Sequence, residues 1–204
     1  GDGIGPEVTA EAVRILKNVA AHAGKSFTFS THTIGGVAID SEGVGLPEST
    51  LAACLGANAV LLGAVGNPKF DGRLPSARPE AALLALRQAL GGYANLRPAI
   101  CYAPLARRTA FQPEKVKGAD LLIVRELLGG LYFGEPRGFE ASGHTAFNTL
   151  IYSRHEVERV ARVAFARARE RRGRVASIDK ANVLETSQLW RQVVSEVARE
   201  YHDV

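Results

Sequence analysis

Methionine is absent from this 204-residue chain, tryptophan occurs once and cysteine only twice. Without a methionine there is no initiator residue, so the true start of the chain is expected to be missing. Cys54 and Cys101 stand far apart and in no C-x-x-C pair, which excludes a disulfide framework and a cysteine zinc site and points to a reducing, cytoplasmic compartment. The five histidines, at 22, 32, 144, 155 and 202, keep no ligand spacing. His155 opens "HEVER", but Arg159 stands where H-E-x-x-H needs its second ligand. No apolar run approaches the roughly 20 residues that span a bilayer. No basic start followed by an apolar centre marks a signal peptide, so no membrane partner is expected. Strong net charge is lacking as well: 25 Lys and Arg against 21 Asp and Glu leave +4. The cations do cluster, at Arg162, Arg167, Arg169, Arg171, Arg172 and Arg174. With no interleaved aromatics, that stretch reads as a solvated helix face rather than a nucleic-acid footprint.

What is present is an ordinary soluble composition, 46% hydrophobic and 23% charged. Apolar residues recur at the helical period over 6–23 (Val8, Ala12, Ile15, Leu16, Val19), and Gly24 is a C-cap signal. Further helices are predicted over about 80–91, 154–172 and 183–200. Phe27 and Phe29 alternate with polar neighbours as in a strand. "NAVLLGAV" (58–65) and "DLLIV" (120–124) are continuous apolar runs that predict strands buried on both faces. "HTAFNTLIY" (144–152) and "RVASI" (174–178) are strand-like too. Helices alternating with apolar strands make the class α/β with a largely parallel sheet. The Gly/Pro-rich stretch 92–98 predicts a crossing between a first domain, 1–95, and a second, 96–204.

The opening "GDGIGPEV" raises the question of a dinucleotide loop. G-x-G-x-x-G needs glycine at the sixth position, where Pro6 stands, and Gly5 comes one residue early. Gly24-Lys25-Ser26 resembles the end of a P-loop, but Val19 occupies the required first glycine.

Three arginines lie in apolar or turn-forming surroundings: Arg87 in "LLALRQAL", Arg97 in "NLRP" and Arg125 in "IVREL". A guanidinium near a core must be paired, and its planar fork suits carboxylates. Either internal acids meet these cations, Glu126 and Glu80 being candidates, or an anionic ligand does. Arg87 shares a helix face with Leu83 and Leu84, and such a face suits an alkyl branch beside a carboxylate. Tyr132 stands in the glycine-rich "GGLYFGEPRG". Lys180, in "SIDKANV", follows a short strand, where a lysine can be desolvated toward a base's working range. A core tyrosine and a surface lysine are the alternatives.

Taken together, "GDGIGPEV", "LLGAVGNPKFDG", "RPEAALLALR", "NLRPA", "LLIVRELLGGLYFGEPRG", "RHEVERVARVAFARARERR" and "SIDKANVLE" resemble the metal-dependent β-decarboxylating dehydrogenases of the isocitrate/isopropylmalate dehydrogenase family, on their isopropylmalate-oxidising side. The resemblance spans essentially the whole chain. "VREL", "GGLYFGEPRG" and "DKANVLE" carry most of it. It implies that family's fold, with mixed and parallel sheets covered by helices, not a Rossmann fold and here incomplete at both ends.

The resemblance also implies an NAD-dependent oxidative decarboxylation of (2R,3S)-3-isopropylmalate to 2-oxoisocaproate and CO2, in leucine biosynthesis. A tartrate-, malate- or isocitrate-type relative, or an inactive fragment or regulatory subunit, is the alternative. Carried over onto matching positions, Arg87, Arg97 and Arg125 clamp the substrate carboxylates, and Mg2+ or Mn2+ polarises the hydroxyl. Lys180 takes part in hydroxyl deprotonation and Tyr132 protonates the enolate carbon. In this family the lysine comes from the partner subunit, so a homodimer with shared sites is implied. Isocitrate-specific relatives place serine and asparagine where this chain has Ala81 and Leu83. Leu83, Leu84 and, across the dimer, Val183 would favour an isopropyl group, each buried methylene contributing about 0.8 kcal/mol. On the cofactor side the resemblance implies Ile4, the loop holding Asn67, Pro68, Lys69 and Glu80, and Asn182. The metal-binding aspartates and most adenosine contacts are expected beyond Val204. Asn67 stands where glycine is usual, and Leu128 where threonine is.

Overall fold

Pro6 and Glu7 open the first helix, the proline where a missing N–H is no loss and the acid beside the positive helix end. This helix, α1 (Gly5–His22), ends at Gly24, whose φ of +63° is glycine's territory. There Lys25 N–H donates to Ala20 O at 2.8 Å. In the computed structural model, which describes residues 1–204, α1 is followed by α2 (Gly36–Glu42), α3 (Glu48–Gly56) and α4 (Pro79–Ala89). Together they form a first unit, Gly1–Gly91. Its core gathers Ile34, Ala82 and Leu86, with Leu46, Leu51, Cys54, Leu62 and Val65 packed around them. Ala82 and Leu86, four residues apart on α4, face this core and leave Leu83, Leu84 and Arg87 half-buried beside it. The apolar stripe of α1 is less covered: Val8, Ile15 and Val19 are exposed.

Two predicted strands of this unit form no ladder. "NAVLLGAV" leaves Val60 and Leu61 exposed, and the run joins no sheet. An apolar run becomes a doubly buried strand only between paired neighbours and covering layers. Here it is held by single contacts, such as Asp2 N–H to Ala64 O at 2.9 Å. Phe27 and Phe29 likewise have no strand partner; they lie on one side of the chain, their rings 5.9 Å apart.

The second unit, Gly92–Val204, contains β1 (Ala94–Ile100), α5 (Pro113–Val116), β2 (Asp120–Glu126), β3 (Gly138–Phe139), β4 (Ala146–Phe147), α6 (Arg154–Arg169) and α7 (Glu185–Ala198). β1 pairs with β2 from Ala94 opposite Glu126 to Ile100 opposite Asp120, and β3 pairs with β4. Both ladders are antiparallel, where largely parallel pairing was expected. Parallel neighbours need a long crossover, usually helical, and the connection 101–119 holds only a 3-10 segment and the four-residue α5. β1 occupies the stretch expected to be a crossing. Pro98 hid it, and Pro98 is tolerated because β1 is an edge strand. "DLLIV" is a strand as expected, but Leu121 and Ile123 are exposed, so only one face is covered. "HTAFNTLIY" pairs only at Ala146–Phe147, and "RVASI" pairs nowhere and leaves Ile178 exposed.

α6 starts at a capping box. Ser153 Oγ accepts from Glu156 N–H, and the Glu156 carboxylate accepts from Ser153 N–H at 2.7 Å. Its apolar stripe, Val157, Ala161 and Phe165, packs on Val193 and Val197 of α7, and Tyr201 stacks on Phe165 at 5.0 Å. The arginine-rich stretch is more than the solvated face expected from its sequence. Arg162 pairs with Glu200 at 2.6 Å, Arg169 with Asp203 at 2.6 Å and Arg171 with Asp120 at 2.6 Å; outside the stretch, at the start of α6, Arg154 pairs with Glu196. No helix is long and apolar enough to cross a membrane.

Hydrogen bonds from these arginines hold the carboxyls of Asp120, Asp203, Glu196 and Glu200 below their ordinary range. A carboxyl lowered on folding stabilises the fold above its unfolded pKa, and that contribution is lost as pH falls through the folded value. The urea midpoint of this unit is therefore expected to be flat above about pH 5 and to fall below about pH 4. The double substitution Glu196→Gln, Glu200→Gln should flatten that fall. A midpoint that drops equally steeply in the double variant would overturn this account.

Candidate active site

Successive residues of a strand face opposite sides, and in β2 this alternation sorts charge. Asp120, Leu122, Val124 and Glu126 share the face toward α6; Leu121, Ile123 and Arg125 share the other. Both acids are met by cations from α6 or just beyond it: Arg159 Nη2 lies 2.9 Å from Glu126 Oε1, and Arg171 Nη2 lies 2.6 Å from Asp120 Oδ1. On the opposite face the ladder sets Asn95 against Arg125 and Arg97 against Ile123. Arg97 and Arg125 are thus diagonal neighbours on one surface, about 7–8 Å apart at the backbone. Neither forms an ion pair with an acid. Arg97 Nε donates to Asn95 Oδ1 at 2.5 Å, and the Arg125 guanidinium lies 4.8 Å from the Tyr132 ring centre. Of the two candidate internal acids, Glu126 is taken by Arg159, and Glu80 lies against Gly66, its Oε1 2.9 Å from where a Cβ there would sit.

Tyr132 ends a short 3-10 turn, Gly130–Tyr132, that is fastened from both sides. Glu126, its side chain only 1% exposed, accepts from Gly129 N–H at 2.6 Å as well as from Arg159, whose guanidinium stacks on Tyr93 at 4.6 Å. Gly130, at φ +75°, donates its N–H to Ile151 O at 2.8 Å. A Cβ there would stand 2.5 Å from the Tyr152 hydroxyl, so only glycine fits. Burial pushes the Tyr152 phenol up, with the Glu126 charge adding to it. Beyond the turn, Arg137 Nη1 donates to Tyr132 O at 2.5 Å. The Tyr132 side chain itself is half exposed beside Arg125. A groove of about 1170 Å³ opens on the other side of β2, lined by Leu122, Val124, Phe165, Ile178 and Trp190 among others. It lies mainly between β2 and α6.

Lys180, Asn182 and Val183 are exposed, in a turn closed by Val183 N–H and Leu184 N–H on Lys180 O, both at 3.0 Å. Lys180 is therefore not desolvated at a strand end within this chain. Its neighbour Asp179 anchors the turn, accepting from Arg191 Nη2 at 2.7 Å and from Ala181 N–H at 3.0 Å. Those bonds, the arginine's first, hold the Asp179 carboxyl below its ordinary range.

In the first unit the glycines of the opening motif serve backbone packing. A Cβ on Gly1 would lie 2.0 Å from Ala64 O, and one on Gly5 2.6 Å from the same atom. Asp2, 2% exposed, ties this loop to two others, accepting from Gly36 N–H at 2.6 Å, Val37 N–H at 2.8 Å and Gly66 N–H at 3.2 Å. The sequence reading overlooked it. Ile4 is exposed next to that junction, and Gly66 brings the Asn67 loop against the Glu80 carboxylate. Asn67 and Lys69 are engaged locally: Asn67 Oδ1 accepts from Lys69 N–H at 3.0 Å, and Lys69 Nζ pairs with Asp40 at 2.7 Å. Pro68 is exposed at the start of this turn. Nowhere does the chain gather three or more His, Cys, Asp or Glu side chains that would hold a metal ion.

A family model described as isocitrate/isopropylmalate dehydrogenase matches residues 1–204. The 3-isopropylmalate dehydrogenase of Bacillus caldotenax is 53% identical over 205 residues, covering all of this chain and 56% of that protein. The protein of the same name from Salinibacter ruber is 55% identical, with 100% and 55% covered. Among solved structures, isocitrate dehydrogenase from Methylococcus capsulatus superposes with a TM-score of 0.82 at 33% identity, over 100% of this chain and 56% of that one. A β-decarboxylating dehydrogenase from Thermococcus kodakarensis gives 0.71 at 34%, over 98% and 53%. The chain thus spans a little over half the length of the curated relatives it matches.

Proposed function

Because the chain belongs to the isocitrate/isopropylmalate dehydrogenase family, we propose that the protein oxidises and decarboxylates 3-isopropylmalate in leucine biosynthesis, in the cytoplasm and as a homodimer. The observation that carries this reading is the face of β1 and β2 on which Arg97 and Arg125 stand without an acid. A cationic surface left uncompensated by the protein suits carboxylates from a ligand. Arg87 on α4 of the first unit is assigned to a substrate carboxylate, and Leu83 and Leu84 beside it to the isopropyl branch.

NAD, when bound, supplies the hydride acceptor. Ile4 and Glu80 suit its nicotinamide side, since an exposed apolar side chain and a nearby carboxylate fit a ring face and ribose hydroxyls. The Asn67–Lys69 turn and Asn182 are assigned to the same cofactor. Lys180 takes the hydroxyl proton as the C–H hydride leaves. The C–C bond to the neighbouring carboxylate then breaks to release CO2, its electron pair passes into the enolate, and the Tyr132 phenol delivers a proton to the carbon. The exposed turn holding Lys180 and Val183 suits their donation to a partner subunit. Mg2+ or Mn2+ belongs to the proposed reaction, but residues 1–204 assemble no ligand set for it, so the steps assigned here are those of the arginines, Lys180 and Tyr132.

The test is a substrate panel with NAD, read as NADH absorbance on protein made from the complete coding sequence. kcat/KM for isopropylmalate is expected to exceed that for isocitrate about a hundredfold, because isocitrate would bury a third carboxylate against leucines. Equal or better use of isocitrate, tartrate or malate would overturn the assignment.

A further inference from the structure

We propose that Asn95 is a positioning residue that aims Arg97 at a substrate carboxylate while leaving the guanidinium its full charge. The proposal rests on the reading in which Arg97 binds a carboxylate. Arginine presents five N–H groups in one plane. With Nε bonded to Asn95 Oδ1 at 2.5 Å, that plane is fixed and the terminal nitrogens are left for a ligand. The acceptor is a neutral amide, as the backbone carbonyls that meet Arg137 and Arg172 are neutral, but most ordered arginines of this unit are held differently. Arg159, Arg162, Arg169, Arg171 and Arg191 each end on a carboxylate, which both orients and neutralises them. Arg97 receives the orientation without the neutralisation. The ladder also places Asn95 directly opposite Arg125, so this one amide stands between the two cations of the face. A carboxylate at 95 would act as an internal anion for both, competing with a small dicarboxylic acid for the surface it needs.

The prediction separates shape from charge. In the protein from its complete coding sequence, Asn95→Ala is expected to raise KM for isopropylmalate about tenfold, the range of one hydrogen bond to a charged group, with kcat little changed. Asn95→Asp, nearly isosteric and still an acceptor, is expected to raise KM about a hundredfold, because its charge pairs with Arg97. Asn95→Gln, a neutral acceptor one methylene longer, should fall closest to the wild type. A merely structural asparagine would give the opposite order, with Asp tolerated better than Ala, and that result overturns the proposal. Independently of turnover, the Arg97 Nε–H resonance is expected to be protected from exchange in the wild type and in Asn95→Asp, and to lose that protection in Asn95→Ala. An unprotected wild-type signal overturns the positioning role whatever the substrate. A wild type that keeps this signal yet neither binds nor oxidises isopropylmalate overturns the substrate reading instead.

Discussion

Tyr132→Phe is expected to lower kcat for isopropylmalate about a thousandfold while leaving KM within about threefold, the signature of a lost proton donor rather than a lost binding contact. The substitution removes one oxygen and keeps the ring. The stacking of the Arg125 guanidinium at 4.8 Å survives it. So do the anchors of the turn at Glu126, Gly129, Gly130 and Ile151. Arg125 therefore stays where it is, and carboxylate binding with it. The proposed role acts after CO2 has left, so hydride transfer should continue in a single turnover while product release as the 2-oxo acid becomes slow. Rapid-mixing measurement of NADH beside steady-state kcat reads both. A kcat within tenfold of the wild type would remove Tyr132 from the proton path.

The second large effect falls on folding. Asp2→Ala is expected to destabilise the first unit by about 4 kcal/mol, since a buried donor left unsatisfied costs about 1–3 kcal/mol and the Asp2 carboxylate serves three backbone amides, those of Gly36, Val37 and Gly66. Asp2→Asn retains one carbonyl acceptor but turns an amide NH2 toward those same donors, so it should lie between alanine and the wild type. Urea midpoints give the total, and hydrogen exchange at the three amides locates it. Undiminished protection at Gly36, Val37 and Gly66 in the alanine variant would refute the assignment. The loops that Asp2 ties together carry Ile4 and Asn67, so the same variant should weaken NAD binding.

The local parts of this architecture were legible in the residues. α1, α4, α6 and α7 announce themselves because a helix is closed by neighbours three and four positions away, with Pro6 and Gly24 marking the ends of the first. Strand partners are not local. "NAVLLGAV" has the composition of a buried strand, yet nothing within it says what lies alongside, and Pro98 masks a strand tolerated only because it is an edge. The site divides in the same way. Arg97, Arg125 and Tyr132 stand out within short motifs, and the structure brings Arg125 onto the Tyr132 ring. Asp2, Asn95 and Glu126 were missed or given other partners because their work depends on what they meet. Asp2 meets amides 34 and 64 residues away, and Glu126 meets an arginine 33 residues away. The glycine pair 129–130, three residues after a carboxylate, was the available clue to Glu126.

The sorting of charge across β2 makes this surface a matter of odd and even. Asp120 and Glu126 share one parity and Arg125 has the other, so a shift of the strand by a single position would exchange them wholesale. The arginine would turn into the layer beneath α6, beside Arg159 and Arg171, and the two acids would confront the incoming anion. The residues would be unchanged in kind and number, and a face proposed to receive carboxylates would have become a surface that repels them. What the strand preserves is therefore phase as much as composition: insertions of two residues keep the sign of the surface, and an insertion of one inverts it.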